Sequence, residues 1–61
     1  MKREELIKHV RGAGGQFLRE GGRHTIYVNP ATKTTTAIPR HREIDERLVR
    51  AICRDLEISE P

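Results

Sequence analysis

The sequence predicts a two-layer α+β domain in the order helix, three antiparallel strands, helix. Two observations carry that prediction. Apolar residues recur at helical spacing near both ends of the chain, at Leu6, Ile7 and Val10 and again at Leu48, Ile52 and Leu56. Between them lie three short runs of strand-forming residues, separated by Gly21-Gly22 and by Asn29-Pro30.

The first helix is expected over Lys2 to Val10, with Gly12 stopping it in the manner of a C-terminal cap. After Gly14-Gly15, the run Gln16 to Arg19 reads as a strand, and Gly21-Gly22 offers the positive φ angles of a tight hairpin. His24 to Val28 follows as a second strand, β-branched and aromatic in composition. Its period of two groups His24 with Ile26 and Val28, which by parity alone would bury the histidine. Its place at the first residue of the strand, beside a glycine pair, points instead to an open rim, and the pattern leaves both readings standing. Lys33 falls in the loop after Asn29-Pro30. Thr34 to Ile38 forms a third strand ended by Pro39, which cannot donate a ladder hydrogen bond. Asp45 is a good N-cap for a last helix running to about Leu56, with Leu48, Ile52 and Leu56 as its buried stripe and Val49 and Cys53 beside it. Two amphipathic helices on one side of a small sheet leave its other face open.

Sixty-one residues with 34% hydrophobic content, two aromatics and no Trp form a thin core, worth roughly 3–5 kcal/mol of net stability. The single cysteine, Cys53, excludes an internal disulfide and a cysteine-based zinc site, and it fits a reducing cytoplasm. No apolar run is long enough for a signal-peptide core or a membrane span. Charge is uneven along the chain. Residues 1–20 hold five basic against three acidic side chains, 21–43 hold Arg23, Lys33, Arg40 and Arg42 against Glu43 alone, and 44–61 hold three basic against five acidic. A polyanion would meet the first two thirds of the chain.

The segment Gly21 to Ile44 concentrates the chemistry. An imidazole near neutral pH both accepts and returns a proton, which suits attack by a ribose 2′-OH on the adjacent phosphodiester, with neighbouring cations stabilising the charge on the phosphorus oxygens. His24 is placed for the first task and Arg23, Arg40 and Arg42 for the second. The alternative for His24 is a strand histidine with no task. His41, between Arg40 and Arg42 just after Pro39, is a second proton carrier or phosphate donor, or else a loop histidine bonded to backbone. His9 reads as a helix-surface residue. Tyr27 either stacks on a base or packs, and Cys53 fills the core edge. The three histidines lack the close spacing of metal ligands, so no metal site is expected.

Taken together, Gly22-Arg23-His24-Thr25-Ile26-Tyr27, Asn29-Pro30, Thr36-Ala37-Ile38-Pro39-Arg40-His41, Glu43-Ile44 and the closing helix resemble the HicA toxins of bacterial and archaeal toxin–antitoxin pairs. The likeness runs over the whole chain, so residues 1–61 are expected to be one HicA-like toxin domain with a double-stranded-RNA-binding-domain-like fold. It implies a cytoplasmic mRNA interferase needing no cofactor. It implies His24 as the catalytic residue, mRNA as substrate, and a HicB antitoxin that blocks the activity within a higher-order toxin–antitoxin complex. Arg23, Lys33, Arg40, His41 and Arg42 are the candidate RNA-binding residues. Two positions depart from the family pattern: Arg23 stands where serine is usual after the glycine, and Glu57 where many relatives end the helix with glycine. Two other classes of function fit the same residues, a non-catalytic RNA-binding module of this fold and an interaction protein whose basic face docks an acidic partner.

Overall fold

A computed structural model describes residues 1–61. Helix α1 spans Arg3–Gly12, strands β1, β2 and β3 span Gln16–Glu20, His24–Asn29 and Thr34–Pro39, and helix α2 spans Glu46–Asp55. The strands form one antiparallel sheet in the order β1-β2-β3, as the α+β meander requires. Element boundaries agree with the sequence expectation to within about two residues at each end, the range in which helix and strand termini are ordinarily ambiguous.

Both helices cover the same face of the sheet. Leu6 and Val10 of α1 and Val49, Ile52, Cys53 and Leu56 from α2 and its end pack with Tyr27, Ile38 and Ile44 in a core of nine buried residues. The alternation within β2 is the inverse of its apolar parity: Thr25, Tyr27 and Asn29 are buried beneath the helices, while Ile26 and Val28 are half-buried on the uncovered face and His24 is exposed. Tyr27 therefore packs, and its ring meets Phe17 edge-on at 6.1 Å between centroids. In α2 the buried face is Val49, Ile52 and Cys53, whereas Leu48, expected in the buried stripe, is exposed at 36% because its side of the helix faces away from the sheet. Cys53 is fully enclosed, and burial, with a smaller contribution from the Glu60 charge, raises its thiol above the usual range.

The helix ends share one device. At α1 the N–H of Gly14 donates to Arg11 O and that of Gly15 to Val10 O; at α2 the N–H of Glu57 donates to Arg54 O and that of Ile58 to Cys53 O. Each is a Schellman motif, whose first residue past the cap takes a left-handed φ. Gly14 does so at φ 102°, so the stop comes two residues beyond Gly12, and Glu57 does so at φ 56°. The glutamate thus takes a left-handed conformation that favours glycine, at a backbone cost of about 1 kcal/mol. Asp45 precedes α2 but makes no side-chain cap bond.

Candidate functional site

The end of the sheet where β2 begins and β3 stops collects most of the residues singled out from the sequence. His24 pairs with Pro39 across the ladder, so the Gly21–His24 turn and the segment from Arg40 to Arg42 leave the sheet side by side. The Gly21 N–H donates to His24 O at 2.7 Å, leaving Gly22 and Arg23 at the tip. Neither glycine of the turn has a positive φ. Gly21 is favoured for a different reason: a Cβ there would lie 3.0 Å from His24 O, a tight approach to the carbonyl whose bond closes the turn. The imidazole of His24 stands in the open, on the face no helix covers, and Arg23 is exposed beside it.

Arg40 does not stand free. Its Nε and Nη2 donate to Glu20 Oε1 at 3.1 and 2.9 Å, its Nη1 donates to Gly22 O at 3.3 Å, and its Nη2 also reaches Gly21 O and, at 3.3 Å, His24 O. Glu20 in turn accepts from Thr25 Oγ1 at 2.8 Å. The Thr25 hydroxyl oxygen accepts from Arg3 Nη2 at 2.8 Å, and Arg3 Nε donates to Pro39 O at 2.9 Å. One chain of charge-assisted bonds thus links α1, the β1–β2 turn and the end of β3. The hydrogen bond from Thr25, then that from Arg40 and its positive charge, hold the Glu20 carboxyl below the usual carboxylate range.

His41 and Arg42 are exposed in the loop after β3. The main chain fastens that loop to the start of α1, with Arg3 N–H donating to Arg42 O at 2.9 Å and Ile44 N–H donating to Met1 O at 2.7 Å. Lys2, Arg3, Glu4 and Arg42 consequently line one cleft of about 240 Å³. Nothing in the sequence signals that Lys2 and Arg42 meet, since forty residues separate them. Lys33 lies elsewhere. It sits in the β2–β3 turn, at the opposite end of a ladder running from His24↔Pro39 to Asn29↔Thr34, a separation of about 17 Å at the usual rise per strand residue. The remaining histidine, His9, is bonded through Nε2 to Ser59 O at 2.7 Å, away from the turn. No three His, Cys, Asp or Glu side chains converge as metal ligands would.

An exposed imidazole on a braced glycine turn, with Arg23 and Arg42 exposed at the same end of the sheet, defines a compact α-β-β-β-α protein with a basic candidate site. The family model for the HicA toxin of bacterial toxin–antitoxin systems matches residues 3–58, and the chain belongs to that family. No curated protein and no solved structure matches it. Membership makes the chain a toxin of a toxin–antitoxin system and implies a HicB-type antitoxin as its partner. No helix is long and apolar enough to cross a membrane.

Proposed function

We propose that this toxin is an endoribonuclease that cuts mRNA, with His24 as its proton-transfer group, and that its HicB-type antitoxin blocks it. The observation that carries this reading is the exposure of the His24 imidazole on the uncovered sheet face, at a turn whose backbone is held by Arg40. The substrate supplies its own nucleophile. His24 takes the proton of a ribose 2′-OH, the 2′ oxygen attacks the adjacent phosphorus in line, and the 5′ oxygen of the next nucleotide leaves, gaining a proton from the same imidazolium or from His41. The products are a 2′,3′-cyclic phosphate and a 5′-hydroxyl, and the route needs no metal. Arg23, Arg42 and Lys2 grip phosphates and offset the charge that builds on the phosphorus oxygens. Lys33 would meet only a strand long enough to reach the far end of the hairpin.

A second reading is a non-catalytic RNA-binding module of the same fold. It is favoured by one feature, that no hydrogen bond fixes the His24 ring within the chain. Mapping the ends of a defined RNA incubated with the purified protein in chelator separates the two. Cyclic-phosphate and 5′-hydroxyl ends are expected; 3′-hydroxyl ends would reject the 2′-OH route, and salt-sensitive binding without turnover would favour the module.

A further inference from the structure

We infer that Arg40 is a positioning residue for His24, not a phosphate ligand: its guanidinium clips the Gly21–His24 turn by its carbonyls and anchors it to Glu20. The inference rests on the ribonuclease reading of His24 and adds a residue whose role the family match does not assign.

The geometry is specific to this side chain. Three main-chain carbonyls of one short turn, those of Gly21, Gly22 and His24, point at a single guanidinium that also holds the Glu20 carboxylate. A planar fork of five N–H donors satisfies several acceptors in one plane, and the three donors of a lysine, clustered at one point, do not. The turn has little else to hold it. Two of its residues are glycines with no side chain to pack, and Gly22 has open space around its Cα. Besides Arg40, its closure depends on the Gly21 N–H to His24 O bond. The clip fixes the carbonyl of His24 itself, and therefore the direction in which its Cα–Cβ bond leaves the sheet. Glu20 is a firm anchor, since Thr25 donates to it from the other side and Arg3 holds Thr25. The Glu20 carboxylate partly neutralises the guanidinium, and the turn carbonyls engage its fork although the side chain remains 41% exposed.

Two roles for Arg40 predict different kinetics. A phosphate contact acts on binding: its loss raises Kd and KM, reduces the salt dependence of binding by about one counterion, and is partly rescued by lysine. A positioning residue acts on the chemical step, so its loss lowers kcat at unchanged Kd and lysine does not rescue it.

The test compares native protein with Arg40→Lys and Arg42→Ala, each first confirmed folded by far-UV CD. One arm, independent of activity, is backbone ¹⁵N relaxation of Gly22, Arg23 and His24. These amides are expected to be rigid in native protein, with order parameters near 0.85, and to fall toward 0.6 in Arg40→Lys while Arg42→Ala stays native. The other arm is cleavage of a defined RNA. Arg40→Lys is expected to lose at least tenfold in kcat at unchanged Kd and salt slope, and Arg42→Ala to raise Kd and reduce the salt slope. Unchanged turn order in Arg40→Lys, or a rise in Kd with kcat retained, would overturn the inference. Loss of turn order together with no cleavage by native protein would leave the clip standing and overturn the ribonuclease reading instead.

Discussion

The two ends of the β2–β3 hairpin solve the same problem with opposite chemistry. Each must be tied to the rest of the protein. At the Asn29 end the tie is neutral and buried: Asn29 Nδ2 donates to Leu56 O at 2.7 Å, and its Oδ1 accepts from Ala31 N–H at 3.1 Å. At the His24 end the tie is ionic and close to solvent, running from Arg3 through Thr25 and Glu20 to Arg40. A buried neutral bond contributes to stability at any pH or ionic strength, because an unpaired amide or carbonyl in the interior is costly. An exposed ionic network contributes little net stability, is screened by salt, and orders a local geometry. The difference separates a hairpin end tied by a buried neutral bond from one whose ionic ties brace the candidate site.

Breaking the neutral end should have the largest effect on stability. Asn29→Ala leaves the Leu56 carbonyl and the Ala31 N–H without partners, and is expected to cost about 1–3 kcal/mol by urea or thermal unfolding. A loss within experimental error would show that the two ends are not divided in this way.

The ionic end sharpens the comparison through pH. The folded state lowers the Glu20 carboxyl, so its contribution is fully present above the ordinary carboxylate range and is lost as pH falls through that range to the lowered folded value. Glu20→Gln should therefore melt slightly below native protein near neutral pH, with the gap closing on acidification. The gap for Asn29→Ala should stay constant over the same range. A Glu20→Gln gap that widens in acid would contradict the sign of the shift.

Most of the architecture was legible because it depends on local signals: helical spacing of Leu6, Ile7 and Val10, β-branched runs, and turn residues at Gly21-Gly22 and Asn29-Pro30. What the sequence hid depends on partners far along the chain. The pattern leaves the face of β2 open because Ile26 and Val28 look more apolar than Thr25 and Asn29, the residues that the helices cover. Those polar residues are buried because Arg3, Glu20 and the Leu56 carbonyl satisfy them, and none of these is a sequence neighbour within reach of a periodicity argument. The ion pair of Arg40 with Glu20 was hidden for the same reason, since the two meet only once the sheet has formed. The cleft shared by Lys2 and Arg42 likewise arises from main-chain pairing of the N-terminus with the loop before α2. His24 itself was legible from its turn, and its exposure came only with the helices assigned to the opposite face.

The central claim is that the exposed imidazole at the ionic end moves the proton when RNA is cut. Its most direct test is the rate at which equal amounts of native protein and His24→Ala cleave one defined RNA, with far-UV CD confirming the same fold. A fall of at least about 10²-fold, the lower end of what a general acid–base group supplies, is the expected result. Cleavage at the native rate by folded His24→Ala would contradict it.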